Sequence, residues 1–465
     1  MNQFVKIKQS HISFLLGFFC LVYICLSTDV RAGGSNSSAP GKPHTLVETY
    51  QQALSSDPIL ASALNENLAA QEAIEQAKAL YRPRVDFTAG ANSNQTDIRF
   101  IGSTPFRNQG RTNFETYNYG LEARQPIFRQ DSLLQIDQSK VQVQLADKSL
   151  HLTKQNLMLR VTQSYFDVLI AQENIVLINA QKVAILGQLE QAKANFEVGI
   201  ATITDVNEAQ ARYDLTLSQE ISAKNAFEVA NLSLQAIIGG DSSELAPVRS
   251  DLKPNQLSQG MSEWLDVTRI NNLNIQISQD NLTIAEQNID RARTGHLPTL
   301  DAVASYRDNT SNGGINGFGS ELKSAVIGLE LQIPLYAGGG VNSRTRQAVY
   351  NKDRALSDIE IAKRQAILDT QTAYLNLSTS IGQVRAFEQA LLSTQSQLDS
   401  TKLGYEVGVR NSVDVLNAQQ QLFTAKRDLL NARYQYLVNI IRLKAASGVV
   451  AEVDLADINQ QLVVN

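Results

Sequence analysis

The residues of this chain best suited to chemistry sit in two matching stretches, Phe196–Val206 (FEVGIATITDV) and Tyr405–Val415 (YEVGVRNSVDV). The first offers the carboxylate Asp205. The second offers the phenol Tyr405, the guanidinium Arg410 and the carboxylate Asp414, with the amide Asn417 close behind. An arginine can grip a carboxylate bidentately and so hold two chain segments in register. On the residue pattern alone a plainer reading comes first, in which Arg410 and Asp205 are solvated turn residues and Asp205 caps a helix. Other chemistry is thinly supplied. His44, His151 and His296 are scattered without metal-ligand spacing. Gly338, Gly339 and Gly340 lack the Lys and Ser/Thr of a phosphate loop. Carboxylates are spread over polar faces, and no pair stands apart as acid and base. The expectation is no enzyme: no catalytic residue, no cofactor and no metal.

The two stretches belong to a much longer repeat. Tyr165 matches Tyr374, Gln210 matches Gln419 and Gly239 matches Gly448. Upstream, Gln125–Phe128 matches Ile333–Tyr336, and Arg82-Pro83 matches Leu297-Pro298. This is a duplicated half-protein, so each half needs the same architecture. At the matching stretches the halves have diverged. Phe196 faces Tyr405 in the alignment and Ala201 faces Arg410, so the second half has gained a hydroxyl and a cation.

Long helices must carry these stretches. No proline occurs between Pro126 and Pro247 or after Pro334, which leaves room for uninterrupted helix. Leu145, Leu152, Leu159 and Phe166 recur every seven residues, Leu169, Val176 and Val183 continue on a neighbouring seam, and Val384, Leu391, Leu398 and Tyr405 repeat the pattern. Such heptads predict coiled-coil packing. A helix from Ser132 to Val198 would be roughly 100 Å long. Val198-Gly199 and Val407-Gly408 read as helix ends and tight turns at the hairpin tips. Thr204 or Asp205, and Ser412 or Asp414, are the expected caps of the returning helices, which run to Ile238 and Ala446. Before each hairpin the period changes to two. Tyr117, Tyr119, Leu121 and Ala123 alternate with polar residues, as do Ala325, Ile327, Leu329 and Leu331 with Val326, Gly328, Glu330 and Gln332. That is the spacing of membrane-barrel strands. Helices Leu46–Tyr81 and Met261–Thr294 precede the strand pairs.

The predicted division is therefore a signal peptide at 1–32, a flexible segment at 33–45 and a first repeat at 46–240. That repeat holds a strand pair in 83–128 and a hairpin in 131–238. A polar linker follows at 241–260. The second repeat covers 261–448, with strands in 298–336 and a hairpin in 341–446, and a short acidic tail ends the chain at 449–465. Lys6 and Lys8, an apolar run from Ile12 to Leu26, and Val30-Arg31-Ala32 carry the signal reading. Both cysteines, Cys20 and Cys25, fall inside it, so the exported chain would have none. A net charge of -5 argues against nucleic acid as a partner. No long apolar run is expected past the signal, so a membrane would have to be crossed by strands.

Four strands cannot close a barrel, for which about eight is the practical minimum. An open edge cannot stand in lipid, so the chain must oligomerise, and three copies would give twelve strands. The whole pattern, from Leu46 to Gly448, resembles the TolC family of outer-membrane efflux and secretion channels. The run Tyr405 to Asn417, its counterpart through Asp205, and the proline-bearing strand ends carry the resemblance. It implies a mainly α fold, with long coiled-coil hairpins and four transmembrane strands per protomer, as a homotrimer with one twelve-stranded barrel in the bacterial outer membrane and a helical tunnel in the periplasm. It implies a passive duct that docks a periplasmic adaptor and an inner-membrane pump and exports drugs, toxic small molecules or secreted proteins. By the same resemblance, Tyr405 and Arg410, with Asp205 as partner, hold the entrance closed, and Asp414 faces the pore as a carboxylate ring. Asn417 departs from the family, many of whose members carry a second aspartate there, and this departure implies weaker cation selectivity. The competing reading is a periplasmic coiled-coil adaptor or structural protein without a pore, against which the duplicated strand pairs argue.

Overall fold

The computed structural model describes residues 43–99, 101, 110–241, 244–249, 251–314 and 318–463; the expected signal segment and residues 33–42 lie outside them. Each half runs helix, helix, strand, strand, long helix, helix. The first half comprises α1 (Leu46–Ser56), α2 (Pro58–Ala79), β1 (Arg84–Ile98), β2 (Gly110–Phe128), α3 (Gln130–Glu197) and α4 (Ile203–Ile238). The second comprises α5 (Met261–Asn271), α6 (Leu273–Arg293), β3 (Thr299–Ser311), β4 (Ser320–Gln332), α7 (Gly340–Glu406) and α8 (Ser412–Ala446), and α9 (Glu452–Asn459) follows.

The first helix of each half is broken where the sequence reading had it continuous. In both, the break follows a helix of 11 residues. At the first break Asp57 accepts from the Leu60 amide at 2.7 Å, and Pro58 supplies a preset first turn. At the second, Asn272 accepts from the amides of Asn274 and Ile275. Asp57 is buried. Burial alone would raise its carboxyl, but hydrogen bonds from Arg160 and the Leu60 amide, with the Arg160 charge, pull it below its ordinary range.

The strands form one antiparallel sheet in the order β1-β2-β3-β4. Register fixes the faces. Phe87 pairs with Leu121, Leu121 with Tyr306 and Tyr306 with Ala325, so these side chains share one face. The row continues through Ala304, Ile327, Ala302 and Leu329. This apolar face is bare, with Ile327 90% and Leu329 69% exposed. The opposite face carries Asp86, Glu122, Arg124, Arg307 and Glu330. At one end of the sheet, Arg129 grips Asp301 through Nε at 2.9 Å and through Nη2, and Arg124 donates to the same carboxylate at 3.0 Å. These contacts tie the start of α3 to β3.

The core lies where α1, α3, α4, α7, α8 and α9 converge. Tyr165, Phe166 and Tyr434 are fully buried there, with Tyr165 edge-on to Phe166 at 5.5 Å between centroids. Burial of a ring such as Phe166 contributes on the order of 2–3 kcal/mol. The Tyr165 hydroxyl lies 3.0 Å from the His44 carbonyl and 2.9 Å from that of Ala246, so it anchors the segment between the halves. That segment also pairs with the tail, through a bridge between Val248 and Leu462. Leu245, Ala246 and Leu252 are buried although their surroundings in sequence are polar.

Within one chain the second seam of α3 lies outside the core beyond Leu169. Val176 and Val183 point outward, 64% and 68% exposed. Gln181, Ile185 and Leu189 face inward instead, because a straight helix drifts off a strict seven-residue repeat. Contrary to the expectation of no such run, part of α3 is also long and apolar enough to cross a membrane by length and composition, with a mean hydropathy of 1.2. Only 28% of that part is buried within the chain, while Tyr165, Phe166, Val168 and Leu169 of α3 pack in the core.

Candidate functional site at the hairpin tips

The two hairpins end alike. At the end of α3 the Gly199 amide donates to the Phe196 carbonyl at 3.0 Å and the Ile200 amide to the Asn195 carbonyl at 2.8 Å. At the end of α7 the Gly408 amide donates to Tyr405 at 3.1 Å and the Val409 amide to Gly404 at 2.9 Å. These are paired Schellman closures, which need a left-handed residue after the cap. Gly199 and Gly408 supply it, with φ of 78° and 80°. Val198, Ile200, Val407 and Val409 then stand exposed at the tips.

Both returning helices open on a capping box. Thr202 and Asp205 cap α4 reciprocally, and Asn411 and Asp414 cap α8. The caps Thr202 and Asn411 thus stand earlier in the chain than the expected Thr204 or Asp205 and Ser412 or Asp414. Thr202-x-x-Asp205 carries the capping-box spacing and could have been found by it. Asp205 and Asp414 are the acidic members of these boxes.

The structure brings the two tips together, but not through the expected pair. Asp205 Oδ1 accepts from Ser412 Oγ at 2.8 Å. Asn195 Nδ2 donates to the Tyr405 hydroxyl at 3.1 Å. Asn195, Asp205, Tyr405, Arg410 and Ser412 line one cleft of about 490 Å³. Within the chain Arg410 does not reach Asp205. Its nearest carboxylate is Asp414, at 3.8 Å and largely exposed, because Arg410 sits in the turn after Gly408, four residues before Asp414 in the first turn of α8. An exposed pair at that distance contributes at most about 1 kcal/mol. The aliphatic part of Arg410 covers Gly404, where an added Cβ would lie 2.8 Å from Arg410 Cγ. Asp205 is held below its ordinary carboxyl range by hydrogen bonds from the Thr202 hydroxyl, the Thr202 amide and Ser412.

Asn195 escaped the sequence reading, and Ser412 entered it only as a candidate cap and not as the partner of Asp205. Their repeat equivalents are Gly404 and Ile203, so each is polar in one half only, and that asymmetry was the available signal. One turn inward, Asn417 Oδ1 accepts from Arg212 Nη2 at 3.1 Å. Among the described residues no group of His, Cys, Asp and Glu could hold a metal ion.

The sequence profile of the outer membrane efflux protein family matches residues 49–240 and 264–449. Outer membrane protein TolC of Vibrio cholerae is 35% identical over 423 residues, which cover 90% of this chain and 93% of that protein. Outer membrane protein TolC of Escherichia coli is 32% identical over 440 residues, covering 92% and 87%. Among solved structures, the Campylobacter jejuni CmeC outer membrane channel superposes with a TM-score of 0.74 at 18% identity, over 90% of this chain and 89% of that one. That last likeness is one of fold.

Proposed function

This chain belongs to the outer membrane efflux protein family, and from that premise we propose that three copies assemble into the exit duct of a tripartite export system. The protein is an outer-membrane efflux or type I secretion channel, not an enzyme. One observation carries the trimer: β1 and β4 are the two outer strands of a four-stranded sheet whose one face is bare and apolar. An edge in lipid must be paired. Joining β4 of one copy to β1 of the next closes a twelve-stranded barrel with the Phe87, Leu121, Tyr306 and Ile327 row toward lipid and the charged row toward water. The exposed Val176 and Val183 rows of α3 then gain partners on neighbouring helices.

The hairpin tips are the periplasmic aperture in this reading. Asn195 to Tyr405 and Asp205 to Ser412 are the ties that close it within each copy, and Arg410 is left to reach the next copy. Asp414 forms the acidic ring, and a periplasmic adaptor, linked to an inner-membrane pump, meets the tips near Val198-Gly199 and Val407-Gly408. The pump supplies the energy and selects the cargo, whether drugs, toxic small molecules or secreted protein. Membrane fractionation and planar-bilayer recording test the assembly together. A heat-resistant trimer in outer membranes that conducts ions is expected. A periplasmic monomer without conductance would overturn the reading.

A further inference from the structure

The repeats diverge a second time, one turn in from the tips. The first half carries Glu208 and Arg212, and the matching positions of the second are Asn417 and Gln421. A charged pair thus stands opposite an amide pair. Residues four apart share a helix face, and Glu208 Oε1 lies 3.4 Å from Arg212 Nε. Arg212 then reaches out of its own hairpin. Its Nη2 donates to Asn417 Oδ1 at 3.1 Å, which joins α4 to α8. The guanidinium is two-thirds covered, with 32% of its side chain exposed. Its planar fork lets it hold a carboxylate through one nitrogen and an amide oxygen through another. The Arg212 carbonyl also accepts from Thr216 Oγ1 at 2.8 Å.

We infer that Glu208, Arg212 and Asn417 make a third tie between the hairpins, with Arg212 as its positioning residue. Glu208 holds the guanidinium in place and balances its charge. The amide of Asn417 is then bound to the first hairpin and is not a free group facing the passage. The tie is separate from those at Tyr405 and Ser412, and it lies deeper along the tunnel. The inference rests on the aperture reading given above.

Asn417→Asp separates a tie from a free pore residue. A free carboxylate would raise cation preference and leave gating alone. A tied one makes a charge-assisted bond to Arg212, stronger than the neutral bond it replaces, and holds the aperture shut. The expected result in planar bilayers is an open-to-closed ratio lowered about two- to fivefold per protomer. Combining Asn417→Asp with Arg212→Gln abolishes that effect, and Arg212→Gln alone raises the ratio. Arg212→Lys, which keeps the charge but not the fork, falls between wild type and Arg212→Gln. An equal effect of Asn417→Asp with and without Arg212→Gln would overturn the tie, as would a rise in cation preference with unchanged gating. Wild-type protein that fails to conduct, or tip variants at Tyr405 and Ser412 without effect, would instead refute the aperture reading.

Discussion

Removing the hydroxyls of both tip ties, with Tyr405→Phe and Ser412→Ala together, should loosen the aperture. Tyr405→Phe deletes the acceptor for Asn195 Nδ2 at 3.1 Å, and Ser412→Ala deletes the donor to Asp205 at 2.8 Å. Neither change removes a cap, because Thr202 and Asp205 still cap α4, and Asn411 and Asp414 still cap α8. Neither touches the turn glycines. A net hydrogen bond contributes about 0.5–1.5 kcal/mol, and these lie at a partly wet tip, so the lower half of that range applies. Two bonds give about 1–2 kcal/mol per protomer, or roughly a five- to thirtyfold shift in the open-to-closed ratio. If three protomers move together the shift compounds. Single-channel recording of purified protein reads it as a higher mean conductance and more frequent openings. The singles should each give part of the effect and should add, since the two bonds share no atom. A double variant indistinguishable from wild type in conductance and dwell times would refute the reasoning, because closure would then not depend on these bonds.

Two further predictions concern protons. Asp205 is held below its ordinary value of 3.8 by the Thr202 hydroxyl, the Thr202 amide and Ser412. A depressed carboxyl stabilises its fold above the ordinary value and loses that contribution as pH falls through the depressed one. Conductance should therefore stay flat from neutral pH to about 4 and rise only in stronger acid, and Asp205→Asn should remove that rise; a rise that persists in the variant would exclude Asp205 as its source. Glu173 has the opposite sign. Burial raises its carboxyl above the ordinary 4.5, against the opposing pull of the Tyr434 hydroxyl and the Arg433 charge. Its contribution to stability therefore grows as pH falls through the raised value. Tyr434 donates to Glu173 Oε1 at 2.6 Å, a bond that Glu173→Gln keeps with the charge removed. The variant should melt at the same or a higher temperature than wild type at pH 7, with the gap closing at pH 5. A melting temperature several degrees lower would show that the charge itself is needed.

Much of this architecture is legible in the residues because two periods are written plainly. The alternation from Tyr117 to Ala123 and from Ala325 to Leu331 names the bare face of the sheet, and the long proline-free spans name the hairpins. The turn chemistry of Gly199 and Gly408 is also visible, since only a left-handed residue completes those closures. What escapes is whatever depends on which helices meet. Val176 and Val183 continue a heptad on paper yet face outward, because the helix drifts and its core partner changes along its length. Asp57 and Asn272 break helices that periodicity alone carries through. At the tips the residue pattern alone pointed to solvated turns with Asp205 at a cap, and Asp205 does belong to the capping box of α4; the resemblance pointed to a latch of Arg410 with Asp205. Within one chain the tips are joined by neutral donors, Asn195 and Ser412, and these ties, like that of Arg212, become visible only when the halves are compared position by position.

A disulfide across the tips tests the central claim most directly. The two cysteines of the sequence lie at Cys20 and Cys25, far in sequence from either hairpin. Asp205→Cys with Ser412→Cys places thiols where a hydrogen bond now joins the hairpins. In planar bilayers the oxidised protein should rest in a low-conductance state, and a reductant should raise conductance above wild type, since the tie is then lost altogether. In cells the oxidised form should block export while the trimer remains in the outer membrane. An oxidised, fully cross-linked protein that conducts and exports like wild type would contradict the account, because the passage would not run between these tips.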